Sequence, residues 1–334
     1  MVVVVVACFF AAISGSGPAT VAALGGVLIP AMTQGGYRKD FSAALLASSG
    51  GIGVIIPPSI AFVVYAMIAE VSVGTMFMSG VVPGLLMGGA YMVASFWSLR
   101  RAQEIVAQER VSWKERWKAF KDAVWGLLTP VIILGGIYGG IFTPTEAAGV
   151  AVVYGLFVGI FVYREIKVRS LWRLCVDSAV SSAVVMFILA SASIFTYVLT
   201  TSRVAANMTA GLLVISNNKY VLLLMMNLIF LVAGCFVDTV SAFYLFLPIL
   251  LPIVRAMNYD LCAFGVLMTA NFAVGMVTPP VGVNLYVACN TAGVSMKDIC
   301  KQVVPFIACG LAAVLLITYF PGITMFLPGL MGLK

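Results

Sequence analysis

The chain alternates between apolar segments and short polar or basic stretches. Segments such as 77–99, 123–142 and 178–201 provide the ~20 residues that a helix needs to cross a hydrocarbon core of roughly 30 Å. Others, such as 2–13 and 19–32, are too short to cross and follow each other closely. The pattern predicts an all-α polytopic membrane protein in which some helices enter the membrane and turn back.

The first two short segments are joined by the polar sequence Ser14-Gly15-Ser16-Gly17-Pro18. We interpret them as the two arms of a re-entrant hairpin whose tip is this polar sequence. A cleaved signal peptide is the alternative interpretation of the first segment, because its length is suitable. That alternative lacks a basic stretch ahead of the apolar run, and it leaves the second apolar segment unexplained.

The two halves of the chain align at a constant offset of 222 residues without a gap. Prolines define this register: Pro30 falls on Pro252, Pro57-Pro58 on Pro279-Pro280, and Pro83 on Pro305. Each half therefore has a polar tip followed by a Gly-x-x-x-Pro-Pro break inside an apolar segment. Because two adjacent prolines interrupt a helix, both halves are predicted to contain a broken helix.

The distribution of basic residues predicts the orientation of these repeats. Residues 100–122 hold seven Lys or Arg and are expected in the cytoplasm. Counting crossings from this loop places 15 of the 19 basic residues on the inner side. The first hairpin then enters from the cytoplasm and the second from outside, so the repeats are inverted. Residues 203–218 are polar and broken by glycine, and we expect them at the outer surface.

This organisation predicts four parts of the chain. They are a first inverted repeat at 1–99, a cytoplasmic amphipathic basic linker at 100–122, scaffold spans with a surface segment at 123–218, and a second inverted repeat at 219–334. Backbone groups freed by a broken helix survive in lipid only where they line a cavity or bind something. Inverted repeats with interrupted helices are therefore typical of secondary transporters.

Composition limits the chemistry that this chain can perform. Apolar residues make up 62% of the chain and charged residues 9%, against about 45–50% and about 25% in soluble domains. The absence of histidine excludes imidazole-dependent catalysis, and the seven cysteines are scattered without metal or disulfide spacing. We predict no enzyme activity and no cofactor. The net charge of +7 is assigned to orientation in the membrane, not to nucleic acid.

Several polar residues inside the predicted membrane region are candidates for ion or substrate binding. The breaks free backbone carbonyls, and Thr278 and Asn284 add side-chain oxygens to the second break. Asp238 lies at the second hairpin tip, where an ionisable group is expensive and indicates function. We expect it to bind a cation, to take up a proton or to orient the opposite tip, and capping of the following helix is a compatible alternative. Glu146, after Thr143, is expected to cap a helix.

Taken together, the motifs resemble the large membrane subunit of the tripartite ATP-independent periplasmic (TRAP) transporters. The resemblance covers essentially the whole chain and rests on residues 14–20, 50–59, 143–148 and 275–282, and on Asp238 after Gly234. It implies uptake of an organic acid, such as a C4-dicarboxylate or a sugar acid, with sodium coupling and an elevator movement of the hairpin domain. It also implies a bacterial inner-membrane location, a small four-helix membrane partner and a periplasmic substrate-binding protein.

The same resemblance implies positions for the binding sites. One sodium ion is expected around Ser14, Gly51 and Val54, and a second around Gly275 and Thr278. The substrate path is expected to pass residues of both repeats, namely Ser16, Ser59, Asp238 and Asn284. Proton coupling stays open beside sodium coupling, because the Asp238 carboxylate is able to take up a proton.

Family members usually carry several helices before the first hairpin, so we expect this chain to be a fragment or to have a misplaced start. A stand-alone sodium/anion symporter with two hairpins is the alternative function, and a neighbouring gene for a periplasmic receptor distinguishes the two. A purely structural membrane subunit is a third possibility. An intramembrane aspartyl protease using Asp177 and Asp238 is disfavoured, because Asp177 follows Arg173 near the predicted inner surface.

Overall fold

The computed structural model describes residues 1–100, 112–202 and 218–333. These residues form 14 α-helices, and no strand occurs among them. Within the described ranges, six helices or helical stretches are long and apolar enough to cross a membrane: Val73–Leu99, Trp113–Tyr138, Pro144–Val162, Arg169–Phe195, Thr239–Ala256 and Met296–Tyr319. The prediction of an all-α polytopic membrane protein is confirmed.

The helices fall into two similar series with a separate group between them. The first series is α1 (Val2–Ser14), α2 (Gly17–Gln34), α3 (Lys39–Gly51), α4 (Ile60–Ala69) and α5 (Val73–Leu99). The middle group is α6 (Trp113–Tyr138), α7 (Pro144–Phe157) and α8 (Val168–Thr201). The second series is α9 (Lys219–Gly234), α10 (Thr239–Ala256), α11 (Leu261–Gly275), α12 (Val283–Ala292) and α13 (Met296–Tyr319), and α14 (Pro321–Leu330) follows it.

The helix bounds follow the offset found in the sequence. For α2 to α5, adding 222 to either bound gives the bound of the matching helix in the second series to within two residues. The starts of α1 and α9 do not match in this way. The two series therefore repeat one sequence of elements: a hairpin, an interrupted helix and a long helix.

Glycine and proline interrupt the third helix of each series. After α3, a short 3-10 turn covers Ile52–Val54, and the chain then stays non-helical until Ser59 caps α4. The second interruption lies between Gly275 and Val283 and contains Pro279-Pro280. Proline lacks a backbone N–H and clashes with the preceding helical turn, so the helix cannot continue through these pairs.

The chain divides into two compact units. Helices α1–α5 and α9–α14 belong to the first unit, whereas α6, α7 and α8 belong to the second. In the first unit the two series pack crosswise, since α4 packs on α10 and α12 packs on α2. Tyr65 of α4 illustrates this contact, because its hydroxyl donates to the Leu261 carbonyl at 2.6 Å and its ring lies 5.5 Å from that of Phe243.

In the second unit, α6 packs against α7. The hydroxyl of Tyr154 donates to the carbonyl of Trp125 at 2.7 Å, and that of Tyr163 donates to the carbonyl of Asp122 at 2.7 Å. Glu146 and Thr143 form a capping box at the start of α7, so the predicted capping role of Glu146 is confirmed. Most described side chains of α8 are exposed.

Some helix bounds differ from the predicted segments. Helix α6 begins at Trp113, after a capping box formed by Ser112 and Glu115, and runs without a break past residue 122. The polar half of that helix was predicted as part of a separate linker because its charges end the apolar run, although Lys and Glu are good helix formers. Near the end of the chain, the apolar sequence from 303 to 331 divides at Phe320, before Pro321, into two helices. Residues 101–111 of the linker and 203–217 of the predicted surface segment lie outside the described residues.

Three buried polar side chains join α9, α11 and α13. The Asn227 amide group donates to Thr318 Oγ1 at 3.1 Å and to the Leu223 carbonyl at 2.9 Å. Asn271 donates to the carbonyl oxygen of the Asn227 side chain. Because a buried polar group costs free energy unless it is paired, this cluster fixes the relative positions of the three helices.

Replacing Thr318 with valine removes the hydroxyl from this cluster at nearly constant volume. We expect the free energy of unfolding to fall by about 0.6–2 kcal/mol, the range measured for hydrogen bonds between membrane helices. Unfolding of the purified protein in mixed micelles measures the change. Thr33→Val is the matched control, since the Thr33 hydroxyl bonds only to carbonyls of its own helix, at 2.9 Å. Equal stability of the two variants would contradict the assignment.

Candidate functional site

The first hairpin tip is a tight polar turn between α1 and α2. Gly15 adopts a left-handed conformation with φ 62°, which glycine tolerates without a steric penalty. The Ser14 hydroxyl donates to the Ser16 carbonyl at 3.0 Å and lies 2.7 Å from the Thr20 hydroxyl. Ser16 is the N-cap of α2 in an extended conformation, and no side chain caps that helix.

The first break lies against this tip. The amide of Ile60 donates to the Gly15 carbonyl at 3.4 Å, and Ser59 donates to the Val54 carbonyl at 2.6 Å. Gly53 approaches the tip so closely that a Cβ there would lie 3.0 Å from the Ser16 carbonyl oxygen. Backbone groups freed by the break thus find partners in the break itself and in the neighbouring tip.

The second hairpin tip carries a charged cap. Oδ2 of Asp238 accepts hydrogen bonds from the amides of Val240 at 3.0 Å and Ser241 at 3.1 Å, so Asp238 caps α10. The predicted capping role is therefore present, and the carboxylate itself is exposed. The next residue, Thr239, is 3% exposed, and its hydroxyl has no hydrogen-bond partner in the described part of the chain.

The second break meets the second tip in a similar manner. The amide of Gly282 donates to the Cys235 carbonyl at 3.1 Å, and Thr278 donates to the Val274 carbonyl at 2.7 Å. Gly275 lies directly against the end of α9, because a Cβ on it would fall 2.6 Å from Cα of Gly234. Gly275 and Gly53 occupy the same position of the repeat. In each half, this glycine allows the interrupted helix to lie directly against the hairpin.

Both tips and both breaks line one cavity of about 130 Å³. The lining residues come from the first tip (Gly15, Ser16, Pro18), the first break and α4 (Val54, Ile60, Ala61), the second tip and α10 (Asp238, Thr239, Val240) and the second break (Met276). Asp238 is the charged residue in this set. The cavity is therefore mostly apolar, and Ser16, Asp238 and Thr239 are the polar residues in its lining.

The structure brings some of the predicted site residues together and separates others. Ser16, Val54 and Asp238 line the cavity, whereas Ser59 is buried under the first break and Asn284 is completely buried. The Asn284 amide group instead donates to the Ala47 carbonyl of α3 at 3.2 Å, and its side-chain oxygen has no partner among the described residues.

The predicted ion ligands lie at the tip and at the two breaks. Ser14 belongs to the tip that Gly53 contacts, and Gly51 ends α3 against the Ala273 carbonyl, which lies 2.9 Å from a Cβ placed on Gly51. Gly275 and Thr278 are joined by a hydrogen bond from the Thr278 amide to the Gly275 carbonyl at 2.9 Å. No group of three His, Cys, Asp or Glu residues capable of holding a metal occurs among the described residues.

Sequence reasoning missed Thr239 as a site residue. The available signal was its position directly after Asp238 at a predicted hairpin tip. In the repeat alignment, Thr239 falls on Gly17 of the first tip. A threonine at the start of a helix is ordinary in itself. Only the packing of the structure shows that this hydroxyl is buried without a partner among the described residues.

A cavity lined by two hairpin tips and two helix breaks, within a repeated unit of apolar helices, is typical of secondary transporters. Sequence comparison gives the family. Residues 1–323 match the family described as "Tripartite ATP-independent periplasmic transporter, DctM component". The chain belongs to this family, as its motifs predicted.

Individual relatives carry different substrate names. The chain is 47% identical over 322 residues to the isethionate TRAP transporter permease protein DctMQ of Oleidesulfovibrio alaskensis. This alignment covers 96% of this chain and 51% of that protein. It is 39% identical over 331 residues to the C4-dicarboxylate TRAP transporter large permease protein DctM of Pseudomonas aeruginosa, covering 99% and 77%. It is 33% identical over 322 residues to the sialic acid TRAP transporter permease protein SiaT of Haemophilus influenzae, covering 96% and 52%. The chain thus spans about half the length of two of these relatives.

The contact of Gly275 with Gly234 leaves no room for a side chain. We expect Gly275→Ala to lower the free energy of unfolding by about 1–3 kcal/mol, the usual cost of overpacking. Gly89→Ala in α5 is the control, because a Cβ at Gly89 meets nothing within 4 Å and alanine favours helix formation. Thermal unfolding in detergent compares the variants, and equal midpoints for both would contradict the close packing.

Proposed function

We propose that the protein is the permease subunit of a sodium-coupled TRAP transporter that imports a small organic acid. The cavity shared by both tips and both breaks is the single observation that carries this proposal. Its residues come from interrupted helices. An interruption inside a membrane frees backbone groups at a cost in free energy, and it is tolerated where those groups line a cavity or are buried in protein. Membership of the DctM family supports transport, without catalysis, as the function of the hairpins and interrupted helices.

Charge in the cavity supports coupling to a cation. Asp238 contributes a negative charge to the wall, so an organic anion that enters alone meets electrostatic repulsion. A cation bound nearby removes this repulsion, which makes anion binding depend on the ion. Neutral carbonyl and hydroxyl oxygens, as found at the breaks, suit sodium, whereas protonation of Asp238 is the competing way to remove the charge.

The positions proposed for sodium are those of the resembling motifs. One ion is placed around Ser14, Gly51 and Val54, and a second around Gly275 and Thr278. The hydroxyls of Ser14 and Thr278 each donate to a carbonyl, and their oxygens keep lone pairs for a cation. Substrate passes Ser16 and Asp238 in the cavity wall. Ser59 and Asn284 have a structural role beside the breaks, since they donate to the carbonyls of Val54 and Ala47.

The remaining parts of the assembly are proposed from the family. A small four-helix membrane subunit and a periplasmic substrate-binding protein are the partners, and the bacterial inner membrane is the location. The hairpin-containing unit moves as the carrier in an elevator mechanism. The relatives are named for isethionate, C4-dicarboxylates and sialic acid, which are all organic anions. We therefore propose an organic anion as the class of substrate and name no individual compound.

Sodium binding predicts a cation-specific stabilisation of the purified protein. A ligand that binds only the folded state stabilises it by about 2.7 kcal/mol at 100 times its Kd. We expect thermal unfolding at a higher temperature in sodium chloride than in potassium or choline chloride at equal ionic strength. Thr278→Val removes one proposed ligand oxygen and should reduce the sodium-specific rise.

Thr291→Val is the matched control for this experiment. Its hydroxyl donates to the Val287 carbonyl at 2.9 Å, as Thr278 does to Val274, but on the exposed side of α12. The control should keep the full sodium effect. Identical unfolding temperatures in all three salts would refute sodium coupling, and a rise on acidification in their place would favour a proton at Asp238.

Dependence on a binding protein separates the tripartite transporter from a stand-alone symporter. The permease and its small subunit are reconstituted in vesicles with an inward sodium gradient. We expect accumulation of labelled organic acid only when the cognate periplasmic receptor is added. Accumulation at the same rate without the receptor would establish the symporter alternative.

A further inference from the structure

The charged half of α6, residues 113–122, carries exposed aromatic side chains on one face. Trp113, Trp117 and Phe120 are 82%, 60% and 49% exposed. Trp117 and Phe120 stack with their ring centroids 5.5 Å apart. Because spacings of four and three residues return to the same side of a helix, the three rings form one stripe. We call these three residues the aromatic stripe of α6.

The same face continues into the apolar half of α6. Val124 and Val131 follow the aromatic stripe at helical spacing. Val131 is 62% exposed, in a helix long and apolar enough to cross a membrane. Gly136, the buried residue of α6, lies on another side, about 140° from the stripe at about 100° per residue. A helix whose Val131 faces lipid therefore turns the aromatic stripe toward the bilayer as well.

Charged residues are sorted around the aromatic stripe. Three of the four basic residues of this half border the stripe on both sides. At about 100° per residue, Lys114, Arg116 and Lys121 lie about 60–100° from its centre. The acidic residues Glu115 and Asp122 lie on the far side of the helix, about 160–180° away. Positive charge is therefore placed beside the aromatic face, and negative charge is placed away from it.

The basic side chains contact the aromatic rings instead of acidic groups. In the part of the chain that the structure describes, no ion pair joins a basic residue of 113–122 to a carboxylate. Cζ of Arg116 lies 5.5 Å from the ring centroid of Trp113, and Nζ of Lys121 lies 5.9 Å from that of Trp117. Cations at this distance are attracted to the ring face. Rings and cations thus form one surface whose positive charge is available to an anionic partner.

We propose that this surface of α6 binds the headgroups of anionic phospholipids. The aromatic stripe lies at the membrane–water interface, where Trp side chains concentrate. The neighbouring basic side chains reach the lipid phosphates while their carbon stems stay on apolar surface. The orientation predicted from the basic loops makes this the inner leaflet. The inference goes beyond the proposed function, because it requires neither a substrate nor sodium.

An anionic lipid fits this surface better than other partners. A soluble anion would pair with the basic side chains but leave the aromatic stripe in water. A zwitterionic lipid would cover the stripe and bring its own positive charge to the basic residues. An anionic phospholipid covers the stripe and supplies unbalanced negative charge. Each Lys or Arg near an anionic membrane surface strengthens binding about fivefold.

Quenching by brominated lipids measures which lipid lies beside the aromatic stripe. A variant keeps Trp117 and carries the substitutions Trp97→Phe, Trp113→Phe, Trp125→Phe and Trp172→Phe, which replace the other four tryptophans. It is reconstituted in bilayers that mix phosphatidylglycerol with phosphatidylcholine brominated on its acyl chains. Phosphatidylglycerol that displaces the brominated lipid relieves the quenching of Trp117.

We expect phosphatidylglycerol to bind beside Trp117 at least about fivefold more tightly than phosphatidylcholine, the effect of one basic residue. Because salt screens exposed charges, the preference should shrink as the ionic strength rises. Equal binding of the two lipids would overturn the proposal. Absence of quenching by either brominated lipid would also overturn it, since the stripe would then not contact the bilayer.

Three further variants test the arrangement of the charges. Replacement of Lys114, Arg116 and Lys121 by glutamine should abolish the preference for phosphatidylglycerol. Lys121→Asp combined with Asp122→Lys keeps the net charge but moves a positive charge to the far side, so it should lower the preference. Lys301→Gln, an exposed residue of α13, is the control and should leave the preference unchanged. Full preference in the exchanged variant would refute the assignment to this face.

Inorganic phosphate separates a lipid site from a site for free phosphate. It is added to the same bilayers and compared with sodium chloride at equal ionic strength. We expect both salts to reduce the preference for phosphatidylglycerol equally. A preference that is lost in phosphate but kept in chloride would show that the basic side chains recognise the free anion, and would overturn the assignment to lipid.

Discussion

The need to pair backbone groups inside an apolar surrounding governs this structure. Each Pro-Pro break frees amides and carbonyls that a continuous helix would have satisfied, and in lipid an unpaired group costs several kcal/mol. The hairpin tips supply the missing partners, through Ile60 to the Gly15 carbonyl in one repeat and Gly282 to the Cys235 carbonyl in the other. In each repeat, the tip and the break therefore satisfy part of each other's backbone hydrogen bonding.

This dependence also explains the glycines at the contacts. Gly53 and Gly275 occupy one position of the repeat, and each lies against the backbone of its own hairpin. A side chain at either place would separate the break from the tip that pairs its backbone. The same closeness leaves a small cavity, whose lining residues come from both tips and both breaks.

The sequence predicted the helical class, the hairpin tips and the position of both breaks, because prolines and glycines act on the local backbone wherever they occur. Helix bounds predicted from charge were less accurate. Helix α6 begins at Trp113, ten residues before the apolar segment, because a capping box starts the helix within the charged sequence. The site was predicted in part. Ser16 and Asp238 line the cavity, but the burial of Asn284 and the unpaired hydroxyl of Thr239 depend on packing between residues more than 200 positions apart, which no local pattern reveals.

The crosswise packing of the two series has a consequence for biosynthesis. Helix α2 packs on α3, which follows it directly, and also on α12, which begins only at Val283. Helix α4 likewise waits for α10. The first hairpin therefore lacks its partner from the second series until most of the chain has been made. Long-range contacts of this kind slow folding and lengthen the period in which misassembly is possible, so the last third of the chain controls when the first third becomes native.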